Sequence, residues 1–101
     1  MILYNVTVNI EADVESEWMD WMKNSHIPKV MATGQFLDYK IFKLLNEEEG
    51  GGTTYSIQYF AKSLNELNHY FAEFAPALVQ EHLDKYKDKH VAFRTVLEAV
   101  V

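Results

Sequence analysis

The first residues of the chain alternate between two kinds of side chain, and this alternation constrains the fold more than any other feature. From residue 2 to residue 10, every second side chain is apolar: Ile2, Tyr4, Val6, Val8 and Ile10. The side chains between them are Leu3, Asn5, Thr7 and Asn9. A period of two residues is that of a β-strand, so the segment predicts a strand with one strongly apolar face.

The first helical segment is predicted from its N-cap and its apolar stripe. Asp13 is the predicted N-cap of a helix that opens at Val14, with acids in the first turn, where the helix dipole favours them. Its stripe comprises Val14, Trp18, Trp21 and Met22. Pro28 predicts a break at residues 26–28, because the residue before a proline is pushed out of the helical region. A short second helix is then predicted over residues 29–32, with Gly34 as its C-cap.

A capping box marks the start of the second helical segment. Ser63 and Glu66 have the S-x-x-E spacing in which each side chain can satisfy backbone groups of the first turn. The apolar stripe that follows comprises Leu64, Leu67, Phe71, Phe74 and Leu78. Pro76 falls inside this stripe and is expected to kink the helix or to begin a second piece. The segment is predicted to end near residues 85–87.

Three further strands complete the predicted architecture. They cover residues 35–46, 53–62 and 89–100, and the acidic and glycine-rich residues 47–52 predict a hairpin loop. No Gly-Lys-Ser/Thr follows those glycines, so a phosphate cradle is not indicated. The order β-α-β-β-α-β is the ferredoxin-like arrangement of the α+β class, with helices on one face of a four-stranded antiparallel sheet. The length of 101 residues predicts one domain, residues 1–101.

The face of this sheet that turns away from the helices predicts self-association. We expect it to carry Leu3, Phe36, Phe42, Leu44, Phe60, Ala92 and Val96. The polar residues among them are Asn5, Thr7, Lys40, Ser56, Gln58 and Arg94. An apolar patch of this size is unusual on a monomer, and the same face of a second copy is the simplest cover. The sequence therefore predicts a homodimer through the sheet face, unless the strand registers differ by one residue and exchange the two faces.

Composition disfavours several classes of partner. The net charge is −6, with nine basic residues among fifteen acids, which argues against nucleic acid and against an anionic membrane surface. No apolar run approaches the roughly 20 residues needed to cross a bilayer. The chain has no cysteine, which excludes disulfides, thiolate nucleophiles and cysteine-based metal sites. Met1 runs directly into a strand with no basic leader, so no secretory signal is expected and the cytoplasm is the default location.

One stretch of the sequence resembles a known family. The run is Trp18-Met19-x-Trp21-Met22, then His26-Ile27-Pro28-x-Val30-Met31-x-Thr33-Gly34-x-Phe36. It is similar to a bacterial family of small proteins without an established activity, in the dimeric α+β-barrel superfamily, where two such sheets close into one barrel. The resemblance covers nearly the whole chain, and its most distinctive part is the His-Ile-Pro stretch.

The wider superfamily implies a pocket without implying one chemistry. It includes cofactor-free monooxygenases of aromatic compounds, haem-degrading enzymes, muconolactone isomerase-like enzymes and stress-responsive proteins. Several members have a His-x-Pro after the first helix, which His26-Ile27-Pro28 matches. The resemblance therefore implies a small-molecule pocket between helices and sheet.

His26 is the predicted catalytic residue. Imidazole titrates near neutrality and suits acid–base work, and His26 follows a stripe that carries Trp18 and Trp21. The alternative is that His26 caps the carbonyls at the end of the first helix, which is a common duty of histidine. Both interpretations stay open from the sequence.

A set of aromatic residues is predicted to line the pocket and to bind a flat apolar ligand. It comprises Tyr4, Trp18, Trp21, Tyr39, Tyr55, Tyr59, Phe71 and Phe74. The alternative is a closed core. The E-x-x-H spacing of Glu66 and His69 is interpreted as a solvated helix face and not as a metal site, because a di-iron centre needs two such elements. We expect no cofactor, although haem ligation stays open because one histidine is enough for it.

Two functions are compatible with these features. The first is a dimer that binds a small apolar or aromatic metabolite and acts on it as an oxygenase or isomerase would. The second is a non-catalytic dimeric interaction or regulatory module, which the lack of a convergent polar motif favours.

Overall fold

A computed structural model describes residues 1–46 and 50–101. Its strands are β1 (Ile2–Ile10), β2 (Asp38–Lys43), β3 (Thr53–Ala61) and β4 (His90–Glu98). They form an antiparallel sheet in the order β2-β3-β1-β4, so β1 lies inside the sheet and β2 and β4 are its edges. The predicted order of elements and the ferredoxin-like α+β class are confirmed. Of the predicted hairpin loop, residues 47–49 lie outside the described residues.

The first helical region continues through Pro28, so the predicted break is wrong. A 3-10 turn (Ala12–Val14) leads into α1 (Glu15–Trp21), a π-helical turn (Met22–His26) follows, and α2 (Ile27–Ala32) continues from it. Pro28 lies in the first turn of α2, where a proline causes little disruption. The wider π turn lets the helical path pass from α1 into α2.

The predicted N-cap at Asp13 is also wrong. The cap position of α1 is Val14, and no side chain bonds to the free backbone groups there. Asp13 instead accepts a hydrogen bond from the Lys89 ammonium at 2.8 Å. Its carboxylate therefore ties the start of this helical region to the start of β4.

The second helical region follows its sequence signals closely. α3 (Leu64–Glu73) and α4 (Ala75–Lys85) meet at Phe74, so the predicted division at Pro76 is confirmed. Ser63 Oγ accepts from the backbone N–H of Asn65 and donates to the Glu66 carboxylate. The two residues of the predicted capping box thus lie together at the start of α3 and bond through their side chains. None of the helices in the described part of the chain is long and apolar enough to cross a bilayer.

The predicted apolar stripe of this region is partly wrong. Leu67 is fully buried, but Tyr70, which was not part of the prediction, lies beside it in the core at 3% exposure. Leu64 and Phe71 are exposed. The buried face of α3 is therefore rotated toward Tyr70.

The core lies between the helices and one face of the sheet. It takes alternate residues of β1 and β3, together with Trp18, Met22, Ile27 and Val30 from the first helical region. Phe36 belongs to this core and packs its ring against Tyr70 with centroids 4.8 Å apart. The prediction that Phe36 lies on the opposite face is wrong: β2 begins only at Asp38, so strand alternation does not decide which side Phe36 takes.

The other sheet face is apolar at its periphery, but β4 contributes different residues from those predicted. Arg94 pairs with Val6, which packs on the helix side, so Ala92, Arg94 and Val96 lie on the helix side too. The side chains of β4 on the open face are Val91, Phe93, Thr95 and Leu97. They join Leu3, Phe42, Leu44 and Phe60, as predicted for the other strands.

The middle of this open face is polar and hydrogen-bonded. Ser56 Oγ donates to Asn5 Oδ1 at 2.6 Å, and Asn5 Nδ2 donates to Thr7 Oγ1 at 3.1 Å and to Thr95 Oγ1 at 3.2 Å. Gln58 Nε2 extends the network toward Ser56. The polar groups of this face thus satisfy one another, while the apolar side chains around them stay uncovered.

Candidate functional site

A cleft opens between the helices and the sheet. The cleft itself has a volume of about 30 Å³, roughly that of one water. The empty space is about 440 Å³ when the solvent at its open mouth is included. The smaller volume decides which molecules fit without a rearrangement of side chains. A ligand larger than water must therefore lie in the outer part or displace side chains at the mouth. The lining residues are Tyr4, Val6, Val8, Met22, His26, Val30, Ile57, Tyr59, Tyr70, Val79, His82, Ala92 and Arg94.

The π-helical turn brings His26 to this cleft. π turns inside helices are frequent at functional sites. The imidazole stacks on Trp21 with centroids 5.0 Å apart, and its Nδ1 is buried without a hydrogen-bond partner among the described residues. His26 is also the N-cap residue of α2, and its side chain forms no cap hydrogen bond there. The alternative role, in which it caps the carbonyls at the end of the first helix, stays a prediction.

Burial sets the protonation state of His26. Loss of hydration on burial lowers its pKa to about 4. The negative charge of Glu81 raises this pKa, and the positive charges of Lys29 and Arg94 lower it. The imidazole is therefore neutral at pH 7. A buried polar atom without a partner costs about 1–3 kcal/mol, so Nδ1 is poised to gain from a ligand that supplies one.

A second histidine lies beside the first, and sequence reasoning gave it no role. Trp18 Nε1 donates to His82 Nε2 at 3.0 Å, and both side chains are buried. Since Nε2 accepts, the neutral imidazole of His82 carries its proton on Nδ1. Burial lowers its pKa to about 3, with further lowering from His90, His26 and Arg94. The usable signal was its position one turn beyond Leu78 on the apolar stripe of α4.

Arg94 supplies positive charge at this cleft, and it is the single arginine of the chain. It is exposed on the edge strand β4, yet its charge acts on Tyr4, Tyr70, His26 and His82. No aspartate or glutamate is among the described residues that line the cleft. Sequence reasoning missed Arg94 because it assigned the wrong face to β4.

Three tyrosines bring phenol groups to the cleft. The ring of Tyr4 lies 6.1 Å from that of Tyr59 and 6.0 Å from that of Tyr70. Burial raises the pKa of all three, so the phenols are neutral hydrogen-bond donors at pH 7. Arg94 interacts with the Tyr4 hydroxyl and partly offsets the rise in its pKa.

The predicted site residues divide into four groups. Tyr4 and Tyr59 line the cleft with His26, while Trp18 and Trp21 lie behind it in contact with the two histidines. The rings of Phe71 and Phe74 pack on Tyr4 and Tyr70 but do not line the cleft. Tyr39 and Tyr55 line a separate shallow depression above β2.

The E-x-x-H residues do not converge on a metal position. The Glu66 carboxylate bonds to Ser63, and His69 is exposed on α3. Among the described residues, no three His, Asp or Glu side chains are grouped closely enough to hold a metal ion. The chemistry that the cleft's own residues offer is therefore that of two neutral imidazoles, three phenols and one guanidinium: proton transfer and the binding of an anionic group.

Comparison with known families gives one match. The model of the family described as "Domain of unknown function (DUF4286)" matches residues 1–100. A search of the curated proteins found no match.

Several solved structures share the fold at low sequence identity. A dimeric ferredoxin-like protein from an uncultured marine organism has a TM-score of 0.70 at 13% identity, with 99% of this chain and 97% of the other covered. A candidate antibiotic biosynthesis monooxygenase from Deinococcus radiodurans has a TM-score of 0.66 at 14% identity, covering 100% and 94%. A mutant of MhuD with two manganese protoporphyrin IX molecules bound per active site has a TM-score of 0.67 at 15% identity, covering 100% and 96%. At these identities the likeness establishes the fold alone.

Proposed function

The chain belongs to the domain of unknown function family DUF4286, and from its cleft we propose that it binds a small, largely apolar molecule between its helices and its sheet. The observation that carries this proposal is the cleft lining, in which aliphatic and aromatic side chains surround a few convergent polar groups. That composition is typical of small-molecule sites. Two of the fold neighbours are a candidate antibiotic biosynthesis monooxygenase and a protein with bound manganese protoporphyrin IX, which supports the proposal.

His26 is the residue proposed to act on the ligand. Its imidazole is neutral and lines the cleft, and its buried Nδ1 has no partner among the described residues. A neutral imidazole can accept a proton from an enol, a phenol or an activated C–H group of a bound metabolite. Trp21, whose ring stacks on the His26 imidazole with centroids 5.0 Å apart, acts as its positioning residue.

A ligand screen with matched histidine variants tests this function. We expect flat aromatic compounds to raise the melting temperature of the wild-type protein, because a ligand that binds only the folded state stabilises it. His26→Ala should lose most of this shift, whereas His69→Ala, which removes an exposed histidine, should keep it. Equal shifts in both variants, or no shift with any compound, would reject the cleft as the binding site.

The open sheet face supports the second part of the proposal, a homodimer. Seven apolar side chains surround the polar network of that face, and Phe42, Phe93 and Leu97 are each about half exposed or more. Covering them against the same face of a second copy would give an isologous two-fold interface. One fold neighbour is a dimeric ferredoxin-like protein, which agrees with this arrangement.

Sedimentation of charged variants tests the dimer. The wild type should sediment as a dimer, and Phe93→Glu should shift it to the monomer, because it places a charge among apolar side chains. Leu83→Glu is the matched control, since Leu83 is exposed on α4, away from the sheet. A wild-type monomer at tens of micromolar, or a Phe93→Glu dimer of unchanged stability, would contradict the proposal.

The small enclosed volume favours a second candidate function. With about 30 Å³ of enclosed space, the cleft does not admit an aromatic ring without rearrangement. If no small molecule stabilises a protein that is nevertheless dimeric, the chain is better described as a non-catalytic interaction module that uses the sheet face.

A further inference from the structure

Arg94 is the one arginine or lysine among the described residues that line the cleft. Within the described residues it forms no ion pair, although the chain has fifteen acids. Two of the eight lysines do form such pairs within the described residues: Lys29 bonds to Glu81 at 3.0 Å, and Lys89 bonds to Asp13 at 2.8 Å. The positive charge at the mouth of the cleft is therefore not neutralised by a described carboxylate.

The groups around Arg94 are suited to an anion. The cleft-lining tyrosines are neutral phenols that can donate hydrogen bonds, and Arg94 lines the same cleft as Tyr4 and lowers the pKa of its hydroxyl. Glu81, whose charge acts on His26, is occupied by Lys29. A cationic ligand would face Arg94 with no lining carboxylate, and a neutral ligand would leave the guanidinium without a charged partner.

The remaining lining describes the rest of the ligand. The tyrosine rings add flat surfaces to the interior. Aliphatic side chains from β1, β3, β4 and the helices surround it: Val6, Val8, Val30, Ile57, Val79 and Ala92. Such a lining favours an apolar, planar body. The charge at the mouth and the apolar lining together describe an amphipathic molecule with its anionic group facing outward. Because the cleft holds only about 30 Å³, the apolar body enters by displacing side chains at the mouth.

We propose that the cleft takes a small aromatic or unsaturated carboxylic acid, with the carboxylate held by the Arg94 guanidinium and the Tyr4 hydroxyl at the mouth. This inference rests on the proposed function and names the chemical class of its ligand. An arginine fork matches the two oxygens of a carboxylate, which makes Arg94 the residue that selects charge. The same negative charge, once bound, stabilises the protonated form of His26.

A pair of isosteric ligands tests the inference. Benzoate and benzamide have the same ring and nearly the same shape, and only benzoate carries a charge. In calorimetric titrations of the full chain at pH 7, we expect benzoate to bind about tenfold more tightly than benzamide, as one charge-assisted hydrogen-bonded contact warrants. Arg94→Met should bind benzoate and benzamide with about equal affinity, and Arg94→Lys should keep part of the preference for benzoate.

The control and the outcomes separate the two proposals. Lys87→Met removes the same charge from an exposed residue that does not line the cleft, and it should keep the full preference for benzoate. If benzamide binds as tightly as benzoate, or if Arg94→Met keeps the preference, the assignment of an acid is wrong while the ligand cleft stands. If the wild type binds neither compound nor any member of an aromatic acid and amide panel, the proposed function fails and the inference fails with it.

The His26 imidazole provides a second readout that does not depend on affinity. We expect saturating benzoate to raise the His26 pKa toward neutrality, observed in the carbon and proton shifts of its ring by NMR, and benzamide to leave it unchanged. An unchanged titration with bound benzoate would overturn the placement of the carboxylate in this cleft.

Discussion

Acidification is expected to destabilise this fold through its two buried imidazoles. Burial lowers the pKa of His26 to about 4 and that of His82 to about 3, whereas an imidazole in the unfolded chain titrates near 6.5. Between these values the unfolded state binds more protons than the folded state. The contribution of the neutral imidazoles to the free energy of unfolding is therefore fully present above about pH 6.5 and is lost as the pH falls toward 4.

The magnitude follows from the same values. At pH 4.5 protonation favours the unfolded chain about 80-fold at His26 and about 100-fold at His82, or roughly 2.5 kcal/mol each. The combined loss of about 5 kcal/mol between pH 7 and pH 4.5 is comparable with the whole stability of a small domain. The pKa of Glu15 is lowered by its hydrogen bonds from Tyr55 and Thr53, so its contribution is lost mainly below this window.

Urea denaturation followed by tryptophan fluorescence at pH 7.0 and pH 4.5, at equal ionic strength, measures this loss. His26→Gln should remove about half of the pH dependence, whereas His69→Gln, at an exposed position, should leave it intact. A wild-type change below about 1 kcal/mol would refute the reasoning, because the imidazoles would then be hydrated in the folded state. The same conclusion follows if His26→Gln keeps the full loss.

Three further substitutions test local features of the fold, each by urea denaturation at pH 7. Trp18→Phe should cost about 2–4 kcal/mol, because it leaves the buried acceptor nitrogen of its histidine partner unbonded and removes part of a buried ring. Ser63→Ala should cost about 1 kcal/mol, through loss of the cap of α3. Gly52→Ala should cost clearly more than Gly34→Ala: both have positive φ, but at position 52 the new Cβ would lie 2.7 Å from the Ile10 carbonyl oxygen, whereas the space at position 34 is open. Equal losses for the two glycine variants would contradict the close approach at position 52.

Local signals predicted those parts of the fold that local chemistry determines. The strand β1 follows from strict alternation, the start of α3 from its capping box, and the division before α4 from Pro76. Each of these signals acts within a few residues of the chain. The sequence therefore specifies them without reference to the rest of the molecule.

The errors occurred where distant parts of the chain decide the outcome. In β4 apolar residues occupy both parities, so the pairing with β1, and not the pattern, decides that Phe93 faces outward and Arg94 faces the cleft. Phe36 is drawn into the core by the rings of Tyr4 and Tyr70. The helical path through Pro28 depends on a π turn that the local propensities do not indicate.

The same distinction holds for the candidate site, where local signals indicate some residues and only the tertiary structure brings in the others. His26 was identified because its short His-Ile-Pro stretch is distinctive, and Tyr4 and Tyr59 were identified from the apolar faces of their strands. His82 and Arg94 come from α4 and β4, far along the chain, and only the tertiary arrangement brings them to His26. A motif can thus predict one residue of such a site, while its partners depend on strand register and helix rotation.

The central claim is that the cleft between helices and sheet is the ligand site, and chemical-shift mapping of the isotope-labelled protein during a benzoate titration tests it most directly. We predict saturable shifts at His26, Tyr70 and Arg94, with the His26 ring signals moving toward those of the protonated imidazole. Shifts confined to Phe42 and Phe93 on the open sheet face, or no saturable shifts at all, would contradict it.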